Sequence, residues 1–436
     1  MKNRTLAPFF IFASLVGTAP SPVVQAAVAQ PPAVTVSLAD VYRRAASTPR
    51  ISAASGLANA AKARVGTASR PPDPELQLGF MNRELPSLAS MDPLGMTQIQ
   101  VMQMIPAPGK LRLARQVASE SAAAARARAT DVRWDVRARA AMAFYDLHTT
   151  VKQIEIARQT KQLVLDIAKT SQTMYAIGDA KQADVLRAQV EVAKMTEEIV
   201  RMESMRAAMA GRLAATLDLS ADSDIGHPVM PQLPDSLPPL SHLIDEAESS
   251  RPMIEAGKRE VAAATAGERL ARKEIWPDVQ LGLQYAWRTG EMGTERMGSL
   301  MIGASVPVHA RRRQLAMREE AAAMRLMTTA DVAAMRAETR GRMTELYADY
   351  TKARNLAALY RTTVIPQAEG AVTASFSAYR VGSVDFMTLL DNRMSVNEYR
   401  QQLVLLESEQ GKAIAEMEML LGRALFDAAG TGRRDQ

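Results

Sequence analysis

The 436-residue chain contains no cysteine, which excludes disulfides, thiolate metal sites, cysteine nucleophiles and a lipid-modified N-terminal Cys. Histidine is nearly as scarce. His148, His227, His242 and His309 stand far apart, outside any spacing that binds a metal. Aromatic residues make up only 5% of the chain although hydrophobic residues reach 47%. The apolar content therefore rests on Ala, Leu, Val and Met, residues of long helices rather than of a thick globular core. Charge of one sign is lacking too: 53 basic and 47 acidic residues leave a net +6, a solvated helical surface rather than the concentrated basic block that nucleic acid would require. No nucleophile elbow, phosphate loop, zinc-protease motif or pair of catalytic acids is present. The chain is not expected to be an enzyme or to hold a cofactor.

Lys2 and Arg4 precede an apolar run from Leu6 to Val16, and Ala27-Val28-Ala29 follows before Gln30. This pattern predicts a signal peptide over residues 1–29, the run being too short for about 30 Å of hydrocarbon. No later segment reaches the ~18 uninterrupted apolar residues of a spanning helix.

The rest of the chain is written twice. Pro74-Glu75-Leu76-Gln77-Leu78-Gly79 matches Pro277-Asp278-Val279-Gln280-Leu281-Gly282. Ile105-Pro106 with Lys110 matches Val306-Pro307 with Arg311, and Tyr175-x-x-Gly178 with Val185-Leu186 matches Tyr379-x-x-Gly382 with Leu389-Leu390, all at nearly one spacing. Two repeats follow, 37–226 and 240–425, with a Pro-rich joint over 227–239 and a polar tail over 426–436.

Each repeat reads helix, two strands, long helix, turn, helix. Strands are expected near 73–83, 96–106, 276–288 and 297–307. Val279, Leu281, Leu283, Tyr285 and Trp287 alternate with Asp278, Gln280, Gly282, Gln284 and Ala286, and Leu76, Leu78 and Phe80 alternate with Glu75, Gln77 and Gly79. Helical pattern runs without a strong breaker from about 110 to 175 and from about 312 to 379, the latter with one proline, Pro366, lengths on the order of 100 Å. Val185, Ala188, Val192, Met195, Ile199 and Met202 form a heptad seam, and Val164, Ile167, Ser171 and Met174 continue its register. Antiparallel coiled-coil hairpins closing at 176–180 and 380–384 are expected, Gly178 and Gly382 permitting the reversals.

Helices with narrow heptad seams cannot cover the apolar strand face, so Leu76, Leu78, Phe80, Leu281, Leu283, Tyr285 and Trp287 are expected to face lipid. Trp276 and Trp287 stand about 28 Å apart along a tilted strand, close to one hydrocarbon thickness. A lipid-exposed sheet must close, and four strands are too few. Two chains would supply eight strands and three would supply twelve; periodicity does not choose. The alternative is an exported coiled-coil structural or interaction protein without a pore, its hairpins packed on helices.

The duplicated unit, the paired P-[ED]-[LV]-Q-L-G strands and the two Y-x-x-G turns resemble the TolC family of outer-membrane efflux proteins over about residues 37–425. Ile105-Pro106-Ala107-Pro108-Gly109-Lys110 is similar to the heavy-metal subgroup, the CusC and CzcC type. The resemblance implies a mainly α protein with a membrane β-barrel: a homotrimer with a twelve-stranded barrel in outer-membrane lipid and a periplasmic α-helical tunnel. It further implies a passive exit duct of a tripartite efflux system, for heavy-metal cations in that subgroup, served by a periplasmic membrane-fusion adaptor and an inner-membrane pump of the resistance-nodulation-division type. Adaptor docking then falls on Tyr175, Ile177, Gly178, Asp179, Tyr379, Val381, Gly382 and Ser383. An acidic ring at the entrance falls on Asp184 and Asp391, with Thr388 departing from the acidic pattern. Asp184 equally suits the positive end of a helix dipole. Lys110, Arg112 and Arg311-Arg312-Arg313 read as side chains snorkelling to headgroups. Met102, Met104 and Met301 fall on the polar strand face, where a thioether is a soft ligand, but methionine throughout is read as packing.

Overall fold

A computed structural model describes residues 35–84, 86–87, 89–90, 95–220, 223–290, 293–306, 309 and 312–426. The expected signal peptide, Arg311 and nearly all of the polar tail lie outside the described residues. Strand β1 (Thr35–Ser37) leads into α1 (Leu38–Ala45), which Ser37 caps through a reciprocal bond pair with Asp40. Helix α2 (Pro49–Ala68) opens on proline, whose missing N–H costs nothing at a first turn. Strand β2 (Glu75–Met81), the short pair β3 (Arg83–Glu84) and β4 (Ala89–Ser90), and β5 (Met96–Ile105) make the first hairpin. Helices α3 (Lys110–Ala176) and α4 (Gln182–Thr216) complete the first repeat. Strand β6 (His227–Val229) and α5 (Leu240–Ser250) precede the second repeat. It consists of α6 (Pro252–Lys273), β7 (Val279–Gly290), β8 (Gly293–Ala304), α7 (Gln314–Leu359), α8 (Ile365–Arg380) and α9 (Phe386–Leu421).

The two hairpins merge into one antiparallel sheet of order β2-β5-β7-β8, so the repeats join through β5 and β7. Leu76, Val101, Leu283 and Leu300 form one cross-strand row, and Leu78, Ile99 and Tyr285 another. The alternating pattern thus becomes one continuous apolar face. Among the described residues nothing covers it: Leu283 is 64% exposed and Ile302 72%.

Helix α3, about 100 Å long, is the spine. Along it pack α2, α4, α6 and α9. The heptad seam is visible in the burial of Ala188, Met195, Ile199 and Met202, of which Ile199 and Met202 meet Ile154 and Ala157. Gly411 lets α9 approach α3, since any Cβ there would lie 2.4 Å from the Tyr145 ring.

Two features differ from the sequence-based expectation. The second long helix is not uniform: between α7 and α8 it widens into a π-turn, Tyr360–Val364, in which the Ile365 N–H reaches back to the Tyr360 carbonyl. Pro366 has no N–H to offer the carbonyl four residues earlier, and the turn absorbs that loss. The Pro-rich joint is also partly ordered as strand, because β6 pairs in parallel with β1. Around that pair lies a core of Val36, Leu38, Val41, Phe144, Leu213 and neighbours, which ties the N-terminal segment to the middle of the chain. Here Arg137 lies flat on the Tyr42 ring, 3.4 Å from its centroid, and contacts the buried Glu418 of α9.

Candidate functional site

Three regions position the residues singled out from the sequence. On the sheet, Leu76, Leu78, Phe80, Leu281, Leu283, Tyr285 and Trp287 share the uncovered apolar face, with Trp287 against Tyr285 at 5.8 Å between ring centroids. Polar side chains on that face occur at its ends. Gln103 donates to the Pro72 carbonyl at one end, and Arg83 reaches Thr97 while Arg296 pairs across from Trp287 at the other. The opposite face carries glutamine: Gln284 donates to Gln98 across β5 and β7, and the Gln98 side chain folds over Gly79. One face suits hydrocarbon and the other water. Among the described residues no helix is long and apolar enough to cross a membrane.

At the foot of the sheet, Lys110 corrects the snorkelling expectation. It is 6% exposed, and its ammonium donates to Asp278 at 2.9 Å, Glu274 at 3.1 Å and the Trp276 carbonyl at 3.1 Å. Gly109, at φ +92°, turns the chain so that the first side chain of α3 points at the start of β7 instead of outward. Burial works against the charge, yet the hydrogen bonds to Asp278 and Glu274 outweigh it and hold the Lys110 pKa above its ordinary value. Arg112, Arg312 and Arg313 are exposed.

At the far end of α3, both reversals are Schellman turns. Asp179 N–H bonds the Met174 carbonyl and Gly178 N–H that of Tyr175; Ser383 N–H bonds Ala378 and Gly382 N–H bonds Tyr379. Gly178 and Gly382 take φ +85° and +71°. The repeats differ in what they present. Tyr175 and Ile177 are exposed and Val381 is 78% exposed, whereas Tyr379 is 5% exposed, its hydroxyl 3.0 Å from that of Ser171. Tyr379 supports its turn from inside rather than offering a surface.

The two tips enclose a cleft of about 700 Å³ lined by Asp179, Asp184, Arg187, Ser383, Asp385 and Phe386. Asp184 lies in the first turn of α4. Asp385, which the sequence reading passed over, caps α9: its carboxylate accepts from the Thr388 N–H at 3.2 Å and from the Thr388 hydroxyl. Those bonds, with Arg187 nearby, hold its carboxyl below the usual range. An Asp three residues before a threonine at the head of an apolar run is a readable cap signal. Asp391 is exposed further along α9, outside the cleft lining. Among the described residues no cluster of three or more His, Cys, Asp or Glu is arranged to hold a metal.

The fold is thus a sheet with one apolar and one polar face, carried on two long helical hairpins. The family described as outer membrane efflux protein matches residues 41–217 and 243–423, and the chain belongs to it. No curated protein matches by sequence. The fold is that of solved outer-membrane proteins. The outer-membrane channel OprN is 19% identical at a TM-score of 0.75, over 89% of this chain and 90% of that one. VceC of Vibrio cholerae is 17% identical at a TM-score of 0.74, over 89% and 97%. CusC, a protein described by its transmembrane channel formation, is 14% identical at a TM-score of 0.75, over 89% and 92%.

Proposed function

We propose that this outer membrane efflux protein is the passive exit duct of a tripartite efflux system. What supports this most directly is the uncovered apolar face of a sheet whose edge strands, β2 and β8, each keep one side unpaired among the described residues. Unpaired backbone groups are not tolerated in hydrocarbon. Pairing β8 of one chain with β2 of the next closes a ring, and three chains give twelve strands with the glutamine face inward. The long hairpins then extend into the periplasm as a helical tunnel. A periplasmic membrane-fusion adaptor docks at the turns around Tyr175–Asp179 and Val381–Ser383, and an inner-membrane pump of the resistance-nodulation-division type supplies the driving force. Export through the N-terminal signal delivers the chain, and heavy-metal cations are the substrate class suggested by the 105–110 segment.

The test is fractionation and conductance. The protein should sediment with outer membranes as a heat-sensitive trimer and carry ion current in planar bilayers. A soluble periplasmic oligomer without conductance would refute the duct.

A further inference from the structure

The four strands of the sheet contain six methionines, Met81, Met96, Met102, Met104, Met297 and Met301, and every one lies on the glutamine face. The lipid-facing side has Leu, Ile, Val, Phe, Tyr and Trp but no Met. Methionine kept only as apolar filler would serve at least as well on the lipid side. On the helices methionine occurs both buried, as Met195, Met202 and Met343, and exposed, as Met205, Met317, Met324 and Met327. On the sheet it keeps to one face.

The register concentrates these thioethers. Met102, Gly282 and Met301 lie directly across from one another on β5, β7 and β8, and Glu75 continues the row on β2. Strands two apart are separated by about 10 Å, so side chains on β5 and β8 meet only if the strand between them offers none. Gly282 does this. A Cβ built there would lie 3.2 Å from Met301 Cε and 3.6 Å from Met102 Cγ, so both methionines lean over the glycine from opposite sides. Met104 follows two residues along β5 on the same face.

We infer that the water-facing side of the sheet carries a thioether site for soft monovalent cations of the Cu(I) and Ag(I) class, centred on Met102 and Met301 above Gly282, with Met104 and Glu75 beside it. Thioether sulfur selects such ions over the hard cations that oxygen ligands prefer, and the Glu75 carboxylate offsets the single positive charge. The site rests on the duct reading for its place along a transport path, where weak binding lets an ion enter and leave.

The probe is silver nitrate in chloride-free buffer. Purified full-length protein is titrated while free Ag(I) is followed with a silver electrode, and in parallel single channels are recorded in potassium nitrate. Met102→Leu with Met301→Leu conserves volume. It should weaken the strongest silver binding at least tenfold and relieve silver block by the same factor, with potassium conductance unchanged. Leu281→Met with Leu283→Met, adding thioethers to the other face, should leave the isotherm as it was. Equal silver binding by the wild-type protein and the Met102/Met301 variant would overturn the site, even in a protein that conducts. Silver binding lost with those methionines in a protein that carries no current would uphold the site and end the duct reading.

Discussion

The Lys110 ammonium stands 2.9 Å from the Asp278 carboxylate and so joins the first residue of α3 to the residue just ahead of β7, across the boundary between the two repeats. Asp278 also accepts from the Ala107 N–H at 2.8 Å. One buried amine therefore fixes where the first hairpin ends and the second begins. Removing one partner of a buried pair costs about 3–5 kcal/mol, because the other charge is left uncompensated. Both acids here are partly exposed, which places Lys110→Met near the lower end of that range. Lys110→Met with Asp278→Leu should recover part of the loss. Thermal unfolding in detergent checks the pair, and stability equal to wild type for both variants would deny it any structural role.

The two faces of β7 make a sharp comparison. Leu281→Arg places a guanidinium on the apolar face, at a cost of about 2–4 kcal/mol near a bilayer midplane, whereas Gln280→Arg enters the aqueous face at little cost. The heat-sensitive oligomer in outer-membrane fractions should fall for the first and persist for the second. Equal tolerance of both would sink the barrel.

At the tips, a Cβ on Gly178 or Gly382 meets nothing within 4 Å, so a substitution there is penalised by backbone conformation alone. Left-handed φ costs a side chain about 1–2 kcal/mol. Gly178→Val with Gly382→Val should leave assembled protein in the membrane but abolish complementation of efflux, because the turns proposed to dock the adaptor would be reshaped. Full efflux from the double variant would move docking elsewhere.

Much of this architecture was legible in advance because periodicity encodes it. The strict alternation through Val279–Trp287 gave the strand and its faces, and the 3-4 spacing through Val185–Met202 gave the seam. What escaped was set by tertiary placement. Nothing local to Lys110 announces that Gly109 turns it inward toward Asp278 and Glu274. Tyr175 and Tyr379 occupy equivalent places in the repeats, yet only Tyr379 finds a hydroxyl, that of Ser171, to bury it. Asp385 escapes for a different reason: the acid six residues after the turn glycine in the first repeat, Asp184, lies in the first turn of its helix, and in the second repeat the acid stands at the cap instead.

His148 predicts an acid sensitivity. It is 3% exposed and its Nδ1 has no hydrogen-bond partner. Burial first, and Lys152 second, push its pKa down to about 4, against the pull of Glu155. The unfolded chain protonates near pH 6.5. Above that pH the residue is neutral in both states and its full contribution is present; as pH falls from about 6.5 to 4 the unfolded state takes up the proton first and stability drops. The loss approaches roughly 3 kcal/mol at about 1.4 kcal/mol per pH unit. Melting temperature measured from pH 7.5 to 4 should decline less steeply in His148→Phe, and identical slopes would show that this imidazole does not titrate as its burial requires.

The acidic residues near the tips separate into two kinds, and charge removal distinguishes them. Asp385 is engaged by the Thr388 N–H and hydroxyl, so Asp385→Ala should cost about 1 kcal/mol, as loss of a helix cap does. Asp184 and Asp391 make no comparable cap bond. Three copies of each around a narrow entrance would focus a negative potential, though at ~0.15 M salt its reach is only about 8 Å. Asp184→Asn with Asp391→Asn should therefore lower cation selectivity and weaken block by multivalent cations in single-channel recordings, with the melting temperature unchanged. If selectivity stays the same while the melting temperature falls, the two carboxylates serve helix ends instead, and the entrance must be gated by other groups although the duct itself stands.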